Sequence, residues 1–400
     1  MDTQFNENFI IRSEKRRSFK EIRVERIEIQ KSRSDGKLTT NNRENITVYN
    51  LGISGHPSYY ANGILVHNCQ KIKNLDAQRT RACLYLSTHA KNKHGLSGTP
   101  IKNRAVEIFN PVKFINPNLF PSFWKFTDEY TNKKNNGFGW EYKGVKNSEK
   151  LHTVLKSVMV RRLKADVLKE LPPKTRAFVP LEITNRKEYE RVMDTFREWA
   201  RGTYKAKDGT IRSNMDNPAA IMVEMGKIKQ ATIAGKIDMA VSWIEDFLES
   251  EKKLIIFATH TKTLDILEKK FEGITVRVDG SITGVNRQEA VDRFQNDDSV
   301  KLFLGNIIAA GEGITLTAAS DVAFLEIADT PADHLQAEDR AHRIGQLDNV
   351  TCWYLLASGT IEEKLVQRIE EKARVIGRVL DGKAETDESA FTELMKEIVN

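Results

Sequence analysis

The sequence has few features of a secreted or membrane-bound protein. Its 400 residues include only three cysteines, Cys69, Cys83 and Cys352, too few and too scattered for a disulfide framework or a zinc cluster. No apolar run approaches the roughly eighteen residues of a membrane-spanning helix. The first residues lack the apolar core of a secretory signal. We therefore expect a cytoplasmic protein with no membrane partner, in which Cys83 and Cys352 are buried as apolar side chains.

The charge balance favours a polyanionic partner. Lysine and arginine number 62 against 55 aspartate and glutamate, so the net charge is +7. Basic side chains release counterions from a phosphate backbone, which suits a nucleic acid. Many mildly basic proteins have no such partner, so charge alone leaves the question open. The length is that of roughly two to three domains.

The first half of the chain changes pattern twice. Residues 1–68 alternate polar and apolar residues between turn formers, which predicts a small all-β unit. Residues 69–110 combine a helical pattern with a short strand that runs into a Gly/Pro turn. Residues 111–225 have helical periodicity over 148–171 and 186–204, and Pro172 and Pro173 end the first of these segments.

The second half alternates strands with helices. Between residues 226 and 380, apolar strands are predicted in KLIIFAT, TVRVDG, VKLFLGN, DVAFLEI and VTCWYLLA. Helices are predicted in KTLDILEKKFE, NRQEAVDRFQ and IEEKLVQRIEEKARVIGRVL. Short buried strands that alternate with helices are typical of an α/β fold with a parallel, doubly wound sheet. Residues 381–400 are expected to form a helical tail.

The segment QAEDRAHRIGQ, from Gln336 to Gln346, carries the clearest chemistry. A helix there would place Arg340 and Arg343 at positions i and i+3, on one face. Two fixed guanidinium groups suit a phosphoryl-transfer transition state, in which negative charge spreads over the equatorial oxygens. The segment also follows a predicted parallel strand, and ligands of open α/β sheets bind at the carboxyl ends of the strands. A bare R-x-x-R would be read as ordinary surface arginines.

The segment resembles the last motif, motif VI, of the Swi/Snf-type DNA translocases of helicase superfamily two. Further motifs follow the order of that family: LSGTP at 96–100 resembles motif III, and MVRRLKADVLKELPPK at 159–174 resembles the segment that crosses between the two motor lobes. LIIFATHTKTLD from Leu254 resembles motif IV, VRVDGSITGVNRQEAVDRFQ the segment after it, and GNIIAAGEGITLTAAS at 305–320 motif V. The sequences of these motifs are most similar to those of the annealing-helicase branch and its bacterial or viral relatives.

The resemblance implies a RecA-like motor that binds ATP and Mg²⁺ and acts on double-stranded or forked DNA near the nucleoid. Residues 69–110 would be the end of the first lobe, 111–225 a helical insertion and 226–380 the second lobe. Gln336, Arg340 and Arg343 would serve ATP hydrolysis, and Gly311 and Gly313 would let the backbone approach a phosphate chain. The remaining positions are implied for nucleotide coupling (Ser97, Gly98, Thr99, Gly311, Gly313) and for DNA contact (Lys73, Asn74, Thr259, Thr315).

Two elements of this family are missing from the sequence. No G-x-x-x-x-G-K-[S/T] phosphate loop occurs in the 400 residues. The Asp-Glu pair of motif II, which holds magnesium, should stand just before CQKIKN, but His67 and Asn68 occupy that place. We therefore expect no metal ligands in this chain and a partner that supplies ATP and Mg²⁺.

The residues before the break resemble the carboxyl-terminal junction of an intein. NGILVHN at 62–68 is followed by Cys69, and TVYNLGISGHPSYY at 47–60 is similar to the preceding intein block, although Asn50 stands where many inteins have aspartate. The all-β pattern of 1–68 agrees with part of an intein's Hint fold. Asn62 and Gly63 alone are also a common hairpin turn.

The resemblance assigns a splicing role to four residues and requires no cofactor. Cys69 would be the acceptor nucleophile for an upstream thioester, and because a free thiol has a pKa near ~8.5 it needs a base, for which His56 is the candidate. Asn68 would cyclise onto its own carbonyl and cut the chain. His67 would polarise that carbonyl or protonate the leaving amine.

Two interpretations of the missing half are open. The chain is either the second gene of a naturally split intein or a piece of a longer precursor, and in both cases its partner is an upstream intein and ATPase half. The competing hypothesis is a non-enzymatic DNA-binding remnant of a broken motor gene. Among the other candidates, His342 is expected to make a structural hydrogen bond. Arg161 and Arg162 are candidates equally for an interlobe brace and for DNA contact, and Trp124, Phe126 and Trp140 are expected in the core.

Overall fold

The computed structural model describes residues 58–61, 64–90, 92–135, 139–205, 209–282, 284–311 and 313–382, with backbone alone for 58–70. These residues belong to two compact units. Those within Met1–Pro100 and Glu107–Phe126 form the first, and those within Ile101–Val106 and Thr127–Asn400 the second. No helix in the described ranges is long and apolar enough to cross a bilayer.

The described residues contain the following elements. The strands are β1 Ser58–Ala61, β2 Ile64–Asn68, β3 Lys93–Leu96, β4 Asn132–Asn135, β5 Trp140–Lys143, β6 Lys174–Leu181, β7 Thr203–Lys205, β8 Ile211–Ser213, β9 Leu254–Ala258, β10 Thr275–Val278, β11 Leu302–Asn306, β12 Asp321–Phe324 and β13 Val350–Ala357. The helices are α1 Gln78–His89, α2 Phe109–Ile115, α3 Phe123–Tyr130, α4 Ser148–Lys156, α5 Lys164–Val167, α6 Arg186–Arg201, α7 Pro218–Leu248, α8 Thr261–Lys270, α9 Gly284–Asn296, α10 Pro331–Glu338 and α11 Ile361–Asp381.

A six-stranded sheet organises the second unit. Its order is β10-β11-β9-β12-β13-β6, and every neighbouring pair is parallel. The five strands predicted from the sequence are therefore confirmed. The sixth, β6, was missed because KTRAFVPL carries two cations and a proline, which a strand tolerates at the edge of a sheet.

Helices cover both faces of this sheet, as the doubly wound prediction requires. In β9, Ile255 and Phe257 pack into one core, which side chains of α9, α10 and α11 complete. Leu254, Ile256 and Ala258 point to the other face and pack against α7 and α8. Side chains of this one strand thus contribute alternately to two cores, because successive side chains of a strand point to opposite faces.

The helical interpretation of residues 148–171 is wrong in part. The structure has α4 at Ser148–Lys156 and the single turn α5 at Lys164–Val167, with no helix between them. Arg161 instead pairs with Asp381 at the end of α11, and Lys164 donates to the carbonyl of His342 at 2.8 Å. Tertiary contacts therefore override a modest local propensity.

The first unit contains a three-stranded sheet and the helices α1 and α2. Strand β2 pairs antiparallel with β1 and parallel with β3. Ile72, Cys83 and Phe114 form its small buried core. The all-β intein fragment predicted for 1–68 lies outside the described residues, apart from the backbone of β1 and β2.

The side-chain predictions outside the motifs had mixed outcomes. Cys83 and Cys352 are buried, as expected. Phe126 is buried against Phe109 and Phe120. Trp124 and Trp140 are exposed, so their expected core positions are wrong. Trp140 instead lies beneath the ammonium group of Lys133, 4.9 Å from the ring centre, in a cation–π contact.

Candidate functional site

The two arginines of the QAEDRAHRIGQ segment lie in a turn, which corrects the helical prediction. Helix α10 ends at Glu338, and residues 339–346, called the arginine turn below, follow it. Despite this, the guanidinium groups converge. Nη1 of Arg340 lies 3.0 Å from the carbonyl oxygen of Ile314, and Nη1 of Arg343 lies 3.4 Å from the same oxygen. Arg340 is also held by the carbonyl of Gln336, at 2.8 Å from Nε.

The carbonyl of Ile314 belongs to a loop that follows β11. We call residues 307–319 the glycine loop. Its backbone is tied to the arginine turn at Leu316, whose amide donates to the carbonyl of Arg340 at 2.9 Å. The amide of the Gln346 side chain donates to the carbonyl of Ala319, also at 2.9 Å. The turn and the end of the loop thus form one hydrogen-bonded layer at the amino ends of β12, β13 and β6, not at the carboxyl ends expected from the sequence.

Glycine is favoured at positions 311 and 313 of the loop for two different physical reasons. Gly313 has φ +76°, a backbone conformation that favours glycine. At Gly311, a Cβ would lie 2.4 Å from the carbonyl oxygen of Ile307, so a side chain does not fit. Both observations concern how the loop folds. Their predicted roles in nucleotide coupling stay predictions.

A buried ion cluster supports the arginine turn from below. The carboxylate of Glu338 is inaccessible to solvent and accepts hydrogen bonds from Arg176 at 2.6 and 2.8 Å and from Lys174 at 2.7 Å. The hydroxyl of Tyr354 donates a further bond at 2.8 Å. Burial by itself raises the pKa of Glu338, but the two cations outweigh it and hold that pKa well below its usual value.

The segment that precedes β6 is fastened to the same turn. Lys164 pairs with Asp339 at 2.9 Å and donates to the carbonyl of His342 at 2.8 Å. Nε2 of His342 lies 2.8 Å from the carbonyl oxygen of Pro172, to which it donates. The structural hydrogen bond predicted for His342 is therefore confirmed. Burial also lowers the pKa of this imidazole.

Comparison with known proteins identifies two domains in this chain. Residues 21–233 match the SNF2-related domain, and residues 236–345 match the helicase conserved C-terminal domain. The chain belongs to the SNF2-related family. The first match begins at residue 21, inside the segment 1–68 that resembles part of an intein.

Two relatives illustrate the extent of the similarity. The human DNA annealing helicase and endonuclease ZRANB3 is 32% identical over 332 residues, which is 80% of this chain and 30% of the relative. A SWI/SNF-related matrix-associated actin-dependent regulator of chromatin subfamily A-like protein 1 homolog from Caenorhabditis elegans is 35% identical over 323 residues, or 79% of this chain and 45% of the relative. The chain therefore spans less than half of either relative.

A solved structure also matches most of the chain. The Sulfolobus solfataricus SWI2/SNF2 ATPase core in complex with dsDNA is 24% identical, with a TM-score of 0.42, and the match covers 84% of this chain and 72% of that one.

Among the positions predicted to contact DNA, Thr259 lies in a polar cluster at the ends of β9 and β12. Its hydroxyl and that of Thr263 donate to the buried carboxylate of Glu326, which also contacts Nδ1 of His260. The amide of Asn306 reaches the carbonyl of Thr259 at 2.9 Å. Burial raises the pKa of Glu326, but these hydrogen bonds outweigh it and lower the pKa below its usual value. The hydroxyl of Thr259 is thus engaged inside this SNF2-family lobe.

The other DNA-contact positions are dispersed. Lys73 pairs with Glu107 at 2.9 Å within the first unit, whereas Asn74 is exposed and Thr315 is half-buried in the glycine loop. Of the motif III residues, Ser97 accepts a hydrogen bond from the amide of Thr99 at 3.2 Å, and Gly98 faces open space. Their roles in DNA binding and nucleotide coupling stay predictions.

The splicing positions are described only in part. His67 and Asn68 lie at the end of β2, where they pair in parallel with Gly95 and Leu96 of β3. Cys69 begins the 3₁₀ turn Cys69–Ile72. His56 lies outside the described residues, so its predicted role as a base stays a prediction.

The residues present fit one side of an ATP site. Two guanidinium groups held side by side suit the phosphates of ATP, because planar donors match phosphate oxygens. Within the described ranges, no group of three or more His, Cys, Asp or Glu side chains is placed to hold a metal ion. The two arginines therefore suit the phosphate side of a bound Mg²⁺–ATP, and their role in hydrolysis stays a prediction.

Sequence reasoning missed Glu338, Lys174, Arg176 and His334. His334 is buried between the rings of Phe324 and Tyr354, with ring centroids 4.9 and 5.5 Å away, and its Nε2 accepts from the amide of Ala328 at 3.1 Å. Burial lowers the pKa of His334 to about 4. A charged residue inside an otherwise apolar helical face is the signal that points to Glu338.

Proposed function

We propose that this chain supplies the second lobe of an ATP-driven motor that moves along, remodels or reanneals double-stranded or forked DNA. The convergence of Arg340 and Arg343 on the carbonyl of Ile314 carries the proposal. It holds two guanidinium groups side by side against a loop of the motif V type.

The arginine turn supports hydrolysis by fixed positive charge. ATP with its magnesium supplies the phosphoryl group, and both are held mainly by a first lobe on another polypeptide. Arg343 is exposed and held by one long hydrogen bond, whereas Arg340 is anchored by two carbonyls. Preorganised charges stabilise the equatorial oxygens of the transition state without moving first. Gln336, one turn earlier on α10, positions the attacking water or the γ-phosphate.

The upstream half is joined by protein splicing at Asn68–Cys69. In this scheme the Cys69 thiolate attacks an upstream thioester and displaces its thiol, with His56 as the base. The side-chain amide of Asn68 then attacks its own carbonyl, which closes a succinimide and releases the amine of Cys69. His67 protonates that amine, and a shift of the acyl group from sulfur to nitrogen leaves an ordinary peptide bond. Support comes from two motif patterns that meet at Cys69 with no residue between them.

Two observations favour a second candidate, a DNA-binding remnant of a broken motor gene. The family match begins at residue 21, and β2 pairs in parallel with β3, as a strand of the lobe itself would. Under this hypothesis residues 21–68 belong to the lobe and are retained. His67 and Asn68 then replace the acidic pair, and no hydrolysis follows.

Coexpression with the adjacent reading frame distinguishes the two candidates. That partner must carry a phosphate loop and end in an amino-terminal intein half. Splicing predicts a ligated product that has lost residues 1–68 and that disappears in Asn68→Ala and in Cys69→Ala. An unchanged 45.6 kDa chain beside an unjoined partner contradicts splicing.

The motor itself is tested by ATP turnover with and without duplex DNA. We expect none from this chain alone and DNA-stimulated turnover from the joined protein. Turnover by the purified chain without any partner overturns the split-motor proposal, and a joined protein that binds DNA without hydrolysis supports the remnant.

A further inference from the structure

Glu338 connects two segments that are distant in sequence. Glu338 is the last residue of α10 and directly precedes the arginine turn. The partners of its carboxylate, Lys174 and Arg176, lie on β6. Strand β6 begins where the segment resembling the interlobe crossing ends, at Lys174. The salt bridge therefore joins the entrance of the second lobe to the turn that carries Arg340 and Arg343.

The connection is reinforced by hydrogen bonds between side chains and backbone carbonyls. The crossing segment donates from Lys164 to the carbonyl of His342, and its Pro172 carbonyl accepts from the His342 ring. On its opposite side, the turn is bonded to the glycine loop through Arg340 and Leu316. The arginine turn is thus held between two segments, and its position depends on both.

We propose that Glu338 is a positioning residue for Arg340 and Arg343, through which the crossing segment sets where the two guanidinium groups lie. The catalytic part of this inference rests on the proposed motor function. The positional part concerns this chain alone.

The physical basis is the strength of charge-assisted hydrogen bonds at a buried site. A bidentate arginine–carboxylate pair defines both distance and orientation, and it is stronger where water is excluded. A ligand-binding group must be held within roughly 0.5 Å of its productive place. A neutral residue at 338 leaves two cations without that anchor, so the turn gains freedom first.

A second buried ion pair provides a matched control. Lys236 is fully buried and donates to both oxygens of Glu362, at 2.8 and 2.7 Å. Glu362 also accepts from the amide of Ala357, and it contacts no residue of the arginine turn. Glu362→Gln therefore removes a comparable buried carboxylate from the same unit without touching the turn.

The test compares hydrogen exchange in the 400-residue chain for Glu338→Gln and Glu362→Gln. We expect peptides over 339–346 and 314–319 to exchange about tenfold faster in Glu338→Gln alone, as loss of a charged hydrogen bond predicts. Peptides over β9 and β11 should keep their protection. Equal acceleration in both variants, or acceleration spread over the whole sheet, assigns Glu338 a merely structural role and overturns the inference.

Two further measurements keep the inference testable. If Glu338→Gln does not fold, Arg176→Lys retains the charge but loses the bidentate geometry, and the same peptides should exchange faster. In the joined enzyme, Glu338→Gln should lower kcat and leave KM for ATP unchanged, while Glu362→Gln changes neither. Lack of turnover in the unsubstituted joined protein contradicts the motor proposal, and the exchange result still decides the positional one.

Discussion

Two of the buried ion pairs in the second unit, Glu338 with Lys174 and Arg176 and Lys236 with Glu362, contrast in what they hold. Glu338 contacts Tyr354, which packs on one face of the sheet, and Lys236 on α7 belongs to the opposite face. The pair Lys236–Glu362 closes on backbone groups of β13, the carbonyl of Leu355 and the amide of Ala357. The Glu338 cluster leads instead to two guanidinium groups, one of them exposed.

The contrast teaches that burial of charge does not by itself indicate function. Both carboxylates are withdrawn from water, which costs free energy that their partners must offset. Only the surroundings distinguish them. One secures the start of α11, and the other secures a turn whose side chains face a loop of the motif V type.

The largest effect is expected at the exposed Arg343, whose substitution should lower activity without lowering stability, unlike substitutions in the two ion pairs. Because Arg343 supplies transition-state charge in the proposed motor, Arg343→Ala in the joined enzyme should reduce ATP turnover by about a thousandfold or more. Its side chain is exposed and makes a single long hydrogen bond, so thermal stability should hardly change. Steady-state kinetics beside a melting curve measure both. A loss below tenfold would remove Arg343 from the proposed chemistry.

The next effect tests the structural pair. Lys236→Met leaves Glu362 buried and without its cation, which should cost about 3–5 kcal/mol of unfolding free energy in urea titration. The double variant Lys236→Met with Glu362→Leu should recover most of that loss, since it removes both charges. If the double variant is as unstable as the single one, the pair contributes more to stability than the free energy needed to offset the burial of its two charges.

Acid should weaken the Glu338 side of the sheet through His334. Its pKa of about 4 lies below the ordinary 6.5, so the unfolded chain binds the proton more readily. Stability contributed by the neutral ring is present above pH 6.5 and is lost as pH falls towards 4. The full loss is about 3 kcal/mol.

The variant His334→Phe isolates this effect from the carboxylates nearby. Glu338, Asp333 and Arg176 also influence the ring, and Glu338 itself loses its charge at lower pH. Urea titrations at pH 7 and pH 5 should show a smaller drop for His334→Phe than for the unsubstituted chain. An equal drop in both assigns the acid sensitivity elsewhere.

The smallest effect concerns the glycine loop. Gly313 has a positive φ and open space around it, so Gly313→Ala should cost about 1 kcal/mol through backbone strain alone. Gly273→Ala, at φ +88° and also in open space, is the matched control outside the loop. A difference in ATP turnover between these two variants in the joined enzyme would measure the functional share of Gly313.

Periodicity and motif order were sufficient to derive five of the six strands of the sheet, the helices α8, α9 and α11, and the family. Buried parallel strands have a composition that the chain displays locally, and the motifs are contiguous in sequence. The parallel sheet and the choice of Arg340 and Arg343 as candidate site residues follow from such local information. The role of residues 1–68 does not, since an intein junction and a strand of the lobe share the pattern ILVHN.

The tertiary structure alone decided where long-range contacts meet. It placed β6 at the sheet edge, ended α10 before the arginines, and broke the helix expected at 148–171. It also brought Lys174 and Arg176 to Glu338, more than 160 residues away in the chain. A carboxylate and two cations separated by that distance carry no mutual signal in the sequence, because their attraction exists only after the sheet has brought them together.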